Sequence, residues 1–358
     1  MNGIYIASGI DTFTVSRDLS WKQKEGILKT IKNLNSFRDE SGDYESDYHC
    51  FRSDHFASQG IKLIMKKKGK HPWKLYILLH PTLLLGDSDR TSLYCPAKKT
   101  YRKMIEEADG IFDKLNVPYC LEGMKLYRAD VTINITFSDP EFVEAYLRIL
   151  KKSLLLPHYS LDWFRTEDHK VKDCKLANRH SYTQRCKSSS FFAYDKTAQL
   201  EMIDKFSASL KGKKVLRLEA QLRRNGMRKW AMDDDFDRIY SVLNTLGAKT
   251  DKILHWYLSR MKQSDGCYMR YKGAFAAIQQ IKGKKTRERM EYLLRKTSDS
   301  RDLGSALVKL KNKFDLNNNK VNHVLKQFRK LGISPITLPN SEKAVDKLQP
   351  LNAILRRA

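Results

Sequence analysis

The chain has 358 residues, and its 67 Lys and Arg against 41 Asp and Glu leave a formal charge of +26, which implies an anionic partner and favours nucleic acid, whose phosphates release counterions on binding. An anionic membrane is the rival, but the most apolar stretch, Leu75 to Leu85, is eleven residues broken by Tyr76, His80 and Pro81, against about 20 for a span; the first twenty residues also lack the order of a signal peptide, so a cytoplasmic chain with no membrane role is expected. The six cysteines (Cys50, Cys95, Cys120, Cys174, Cys186, Cys267) contain no C-x-x-C pair, which argues against a zinc site or a disulfide framework.

In chain order, strands are predicted over Gly9 to Val15, Ile61 to Lys67, Lys74 to Leu79, Tyr127 to Thr136, Ser189 to Lys196 and Val215 to Arg223, many alternating apolar and polar residues. The run Lys66-Lys67-Lys68-Gly69-Lys70 reads as a solvated hairpin tip. Tyr101, Met104, Ile105, Ala108, Ile111, Phe112 and Leu115 recur at helical spacing, as do Phe142, Tyr146, Ile149 and Leu150 after the start signal Ser138-Asp139-Pro140. A mainly antiparallel sheet with these two helices packed on one face satisfies both patterns and leaves the other face open for polar residues.

Beyond Lys229 the pattern turns helical. Phe236, Ile239, Tyr240, Leu243 and Leu246 lead to a C-cap candidate at Gly247, and Ile253, Leu254, Tyr257 and Leu258 form the next helix. From Leu303 to Leu331 two short amphipathic helices flank the turn Leu316-Asn317-Asn318-Asn319, with Gly332 closing the second; a helix-turn-helix DNA reader and a plain helical bundle both fit. The fold class expected is α+β, with a sheet domain over residues 1–229 and an all-α DNA-binding or accessory domain over 230–358.

Alternation places Arg128, Asp130, Thr132 and Asn134 on one side of their strand, and Arg217, Glu219, Gln221 and Arg223 on one side of theirs. If the two apolar sides share one core, Asp130 and Glu219 stand on the same sheet face. Two carboxylates among cations suit Mg2+ or Mn2+, which take oxygen ligands and are completed by phosphate; cross-strand ion pairs with the arginines are the alternative. The segment Arg179-His180-Ser181-Tyr182-Thr183-Gln184-Arg185-Cys186-Lys187-Ser188 sets a tyrosine among cations, where a phenol can serve as a nucleophile. Tyr194, ahead of Asp195-Lys196, is the second candidate, with Tyr127 and Tyr159 behind it. Arg128, Arg179, Arg185, Lys187, Arg217 and Arg223 are the candidates for DNA contact.

These segments resemble a known family. Arg128-Ala129-Asp130-Val131-Thr132-Ile133-Asn134, the Tyr182 to Ser188 stretch leading into Tyr194-Asp195-Lys196, and Leu216-Arg217-Leu218-Glu219-Ala220-Gln221-Leu222 are similar, in that order, to successive motifs of phage and plasmid rolling-circle replication initiators. The closest groups are the filamentous-phage nicking proteins and the plasmid Rep_trans initiators. Gly9-Ile10-Asp11-Thr12 and Leu331-Gly332-Ile333-Ser334-Pro335-Ile336-Thr337 also resemble stretches of that family.

The resemblance implies a rolling-circle nuclease-like fold and a metal-dependent, strand-specific DNA endonuclease that joins itself through tyrosine to the 5′-phosphate of the nick, leaving a 3′-hydroxyl to prime synthesis with a host helicase and polymerase. By position Tyr182 is then the nucleophile, Asp130 and Glu219 hold Mg2+ or Mn2+, and Lys196 sits near the scissile phosphate. The sequence departs from the wider class in having no His-hydrophobe-His motif, although His80 could add a ligand, and in having Gln184 where the family often has glycine. The competing expectation is a non-catalytic DNA-binding regulator or partition protein; an RNA-binding role is disfavoured by strand faces richer in Arg, Asp, Glu and Gln than in aromatics.

Overall fold

The computed structural model describes residues 4–42, 47–162, 179–206, 210–232, 238–261, 266–300, 302–338 and 346–356. Its strands are β1 (Ile4–Leu19), β2 (Phe37–Asp39), β3 (Tyr48–Ser53), β4 (Ile61–Lys68), β5 (Trp73–Leu79), β6 (Lys125–Phe137), β7 (Ser160–Leu161), β8 (Ser181–Arg185), β9 (Ser189–Asp195), β10 (Lys214–Arg223), β11 (Tyr268–Met269) and β12 (Lys347–Leu348). The described helices of eight or more residues are α1 (Trp21–Lys32), α2 (Lys98–Lys114), α3 (Glu141–Lys152), α4 (Ile239–Ala248), α5 (Thr250–Arg260), α6 (Tyr271–Ile278), α7 (Lys284–Asp299), α8 (Leu303–Phe314) and α9 (Asn318–Lys330). The class is α+β with a large antiparallel sheet. No described helix is long and apolar enough to cross a membrane.

Two compact units result. One, the N-terminal unit, comprises Ala7–Ile133 and Glu219–Thr250; the other, the C-terminal unit, comprises Met1–Ile6, Asn134–Leu218 and Asp251–Ala358. The division follows the long strands β6 and β10, each of which begins in one unit and ends in the other. Lys229 therefore falls inside the N-terminal unit, and the helices after it are shared out: α4 belongs to the N-terminal unit and α6 to α9 to the C-terminal one.

In the N-terminal unit the strand order is β2-β3-β4-β5-β1-β6-β10. Antiparallel register pairs Phe13 with Leu79, Val15 and Leu63 with Ile77, and Met65 with Leu75, so these side chains line one face, where all are at most 1% exposed. Burying each is worth about 1.5–3 kcal/mol. The Lys66 to Lys70 run does form the β4–β5 hairpin tip, with Gly69 in the turn. Helix α1 begins with a capping box: Ser20 Oγ accepts from Gln23 N–H at 3.3 Å and Gln23 Oε1 accepts from Ser20 N–H at 2.9 Å. Its Lys24 ammonium lies over the rings of Trp21, Trp73 and Phe51 at 4.6, 5.0 and 5.4 Å, seating the helix on β3 and β5. Helix α4 meets α2 through Tyr101 and Tyr240, centroids 5.0 Å apart. Gly247 is not the cap expected of it; α4 runs on to Ala248, and a Cβ at Gly247 would stand 3.0 Å from the ring of Pro96. Phe236 lies outside the described residues.

In the C-terminal unit the order is β6-β10-β9-β8-β7. Phe137, at the end of β6, stacks on Tyr146 of α3 at 5.5 Å, and α3 also packs on β8 and β9. The start signal works through Asp139, whose Oδ1 accepts from Glu141 N–H at 2.9 Å. From β9, Phe191 stacks on Tyr257 of α5 at 5.6 Å. The end of the chain is not purely helical, because β11 and β12 pair, Tyr268 opposite Leu348: residues arriving from distant positions form this bridge, and no local alternation marks it.

Candidate functional site

The most polar part of the sheet is the row that alternation selects on β6 and β10. Arg217 Nε donates to Asn134 Oδ1 at 2.8 Å, which brings the polar rows of the two strands onto one side, and Asp130 and Glu219 belong to those rows. That side is not open. Asp130, Thr132 and Asn134 are 3%, 0% and 3% exposed, and Arg217 and Glu219 are 0% and 9%. The solvated polar face expected of the sheet is not found along the middle of these strands, which is covered on both sides, and Arg217 is a buried structural cation rather than a surface contact for phosphate.

Within the N-terminal unit, Asp130 is held from β1 and from its own strand. Thr12 Oγ1 donates to Asp130 Oδ2, and Arg128 Nη2 donates to the same oxygen at 3.0 Å. Among the described residues, the second carboxylate oxygen, Oδ1, has no hydrogen-bond partner, and neither do the hydroxyls of Thr14 and Thr132 or the Arg128 Nε. Burial pushes the Asp130 carboxyl up from its ordinary range, Arg128 and Thr12 pull it back, and the nearby charge of Asp11 adds to the rise. A buried oxygen left without a donor costs about 1–3 kcal/mol.

The C-terminal unit gathers a different set. Asp195 caps the helical turn Lys196–Met202 by accepting from Ala198 N–H at 2.9 Å, and its Oδ2 meets Lys214 Nζ at 3.0 Å and His180 Nδ1 at 3.9 Å. Lys196, expected at the end of the strand, is the first residue of that turn; it is 9% exposed and its Nζ donates to Gln199 at 2.9 Å. Burial lowers the His180 imidazole, against the pull of Asp195.

The two candidate tyrosines face opposite ways. Register pairs Tyr182 with Ala193 and Gln184 with Phe191, while Ser181 pairs with Tyr194 and Thr183 with Phe192. The Tyr182 row points at α5 and at the chain leaving α3: Gln184 accepts from Leu156 N–H at 2.7 Å, lies 3.3 Å from Met261 sulfur, and donates to the Tyr182 hydroxyl. Tyr182 is 2% exposed, and burial pushes its phenol up to about 12 although the Gln184 hydrogen bond works the other way. Cations adjacent in sequence do not activate it, since Arg185 projects from the other row to Asp162 at 2.9 Å. Tyr194, half-buried, belongs to the row opposite that of Tyr182, in register with Ser181. Tyr159 is bonded to Ser189 and to Tyr257, and Tyr127 packs edge-on against Tyr76 at 4.9 Å.

Of the remaining expected DNA contacts, Arg179 is exposed and pairs with Glu144 at 3.1 Å, Lys187 is exposed, and Arg128 and Arg223 are half-buried. His80 occupies the position before the turn Pro81–Leu84, without a side-chain cap to it. Among the described residues no group of three or more His, Cys, Asp or Glu side chains is placed to hold a metal together. Mg2+ is ordinarily held by one or two carboxylates with water and substrate phosphate, and among the described residues Asp130 Oδ1 has no hydrogen-bond partner.

Sequence reasoning put Thr132 on the face of Asp130 but missed Thr12 as the donor to the acid, and it missed the Asp195–Lys214–His180 group. The threonines carried a signal: Thr12 and Thr14 are two residues apart, as are Asp130 and Thr132, on strands whose other side is apolar. No protein-family model matches the chain, and no curated protein matches it.

Proposed function

We propose that the chain is a replication initiator with a rolling-circle nuclease-like fold, which nicks one DNA strand at an origin. A tyrosine oxygen attacks the scissile phosphorus, the P–O3′ bond breaks, a 5′-phosphotyrosine ester forms, and the departing O3′ takes a proton to become the 3′-hydroxyl that a polymerase extends after a helicase opens the duplex. The observation that carries this reading is the buried carboxylate of Asp130, oriented through one oxygen by Thr12 and Arg128 and left without a partner at the other. With Glu219 it would hold Mg2+ or Mn2+, which supplies charge neutralisation at the phosphate.

Between the tyrosines, Tyr194 is favoured over Tyr182. A phenol that is 2% exposed and pushed up to about 12 neither ionises near neutral pH nor reaches a DNA strand without unpacking α5. The test uses supercoiled DNA of the replicon that encodes the chain, with Mg2+ or Mn2+, read as nicked circle and as covalent protein–DNA adduct on a denaturing gel. The adduct should vanish in Tyr194→Phe, persist in Tyr182→Phe and fall at least about 100-fold in Asp130→Asn. An adduct that survives Tyr194→Phe and is lost in Tyr182→Phe reverses the assignment.

A second reading, a non-catalytic DNA-binding regulator, is favoured by the burial of Asp130 beside Arg128, which an ion pair serving the fold alone would also give. Salt-dependent binding without any adduct would select it.

A further inference from the structure

Helices α8 and α9 are separated by only three residues, Asp315, Leu316 and Asn317, with Asp315 in the left-handed region at φ 47°. Asp302 caps α8 by accepting from Ser305 N–H at 2.8 Å, and Asn317 caps α9 by accepting from Lys320 N–H at 3.0 Å. The pair packs together, and both helices pack on α7. Three helices with a three-residue turn between the last two is the arrangement in which the final helix can be presented outward.

That helix is firmly held from behind. Gly332, at φ 66°, ends it, with Gly332 N–H donating to Arg329 O at 2.9 Å and Ile333 N–H to Phe328 O at 3.1 Å. The chain then runs against the Gly266–Cys267 segment so closely that a Cβ at Gly266 would stand 2.4 Å from the Ile333 carbonyl. Residues Ile333 to Leu338 are buried along this contact.

The outward face is unlike the rest of α9. Val321, Val324 and Phe328 point inward; at 100° per residue the opposite direction carries Asn319, Asn322, His323, Lys326 and Lys330, all of them exposed. The face holds amides and cations and no acid. From Leu303 to Leu338 the sequence has seven Lys and Arg and a single acid, Asp315, which sits in the turn. Such a face repels itself and gains nothing by packing, but it complements the major groove of a duplex: asparagine pairs with both polar edges of adenine, lysine with those of guanine, and flanking cations meet phosphate.

We propose that α9 enters the major groove of double-stranded DNA and reads base edges through Asn319, Asn322, His323 and Lys326. This makes it a sequence reader distinct from the nicking chemistry, and it stands whether or not the chain cuts. Duplex RNA is the wrong partner, because its major groove is too deep and narrow for side chains.

The experiment selects binders to the full-length chain from duplex DNA with a randomised core of about 20 base pairs, in EDTA so that no cleavage intervenes. Wild type should enrich one motif, and Tyr194→Phe should enrich the same one, which separates this result from the fate of the nuclease reading. Asn319→Ala with Asn322→Ala, and independently Lys326→Gln, should weaken binding to the selected duplex about tenfold or more while changing affinity for unselected DNA far less. Lys284→Ala with Lys285→Ala, at the start of α7, should lower affinity for all sequences alike and keep the motif. The proposal is overturned if no motif is enriched, if the α9 variants enrich the wild-type motif at undiminished affinity, or if duplex RNA of the selected sequence binds as tightly as the DNA.

Discussion

The polar row of β6 and the polar face of α9 are built from the same kinds of residue and meet opposite fates. On β6, Asp130, Thr132 and Asn134 are at most 3% exposed; on α9, Asn319, Asn322, His323 and Lys326 are exposed. Periodicity identifies which side chains share a face, but not whether that face is covered. A covered face must find its partners inside the fold, and β6 does so only in part: Asn134 has Arg217, while Asp130 Oδ1 and Thr132 Oγ1 have none among the described residues. An exposed face has water to satisfy it, and its residues are not fixed by packing.

The largest expected effect comes from breaking the covered row. Arg217→Met keeps most of the volume but removes the guanidinium from a fully buried site and takes the 2.8 Å donor from Asn134; it should destabilise the fold by about 1.5–3 kcal/mol, the range for losing a buried hydrogen bond made by a charged group. Urea unfolding measures it, and a loss below about 1 kcal/mol would mean that the row is better hydrated than its burial indicates. Asp130→Asn sharpens the same point through pH. Because burial raises the carboxyl in the folded chain above its unfolded value, its contribution to stability is complete below the unfolded value, near 3.8, and is lost as pH rises through the folded one. The asparagine variant should therefore gain stability relative to wild type as pH is raised from 4 towards 7. A difference independent of pH would place the charge of Asp130 in full balance with Arg128.

The strands that carry this row were legible because their other side is uninterrupted: Leu216, Leu218, Ala220 and Leu222 leave β10 no other reading, and Ile133, Ile135 and Phe137 do the same for β6. β8 was not legible. Its buried positions are Tyr182 and Gln184, and an amide that is 0% exposed looks polar until Leu156 N–H and the Tyr182 hydroxyl are seen to satisfy it. For the same reason the cations around Tyr182 misled. They are its neighbours along the chain, yet alternation sends Arg185 to the opposite side of the strand. The division into units was hidden as well, since it depends on where long strands cross from one cluster to the other, which no local composition records.

The smallest effects belong to α9, and their contrast within one helix tests whether its outward face serves the fold at all. Asn317→Ala removes the cap on Lys320 N–H and should cost about 1 kcal/mol. Asn319→Ala and Lys326→Ala, two and nine residues further on, change exposed side chains for which no packing contact is seen among the described residues and should stay within about 0.5 kcal/mol; alanine even favours the helix slightly at both places. Thermal unfolding of the three variants is enough to decide. If the face were packed against an element of the chain, its alanine variants would cost as much as the cap variant or more. Near-neutral values at Asn319 and Lys326 beside a clear loss at Asn317 would show that these amides and cations do not serve the fold, as the proposal for α9 requires.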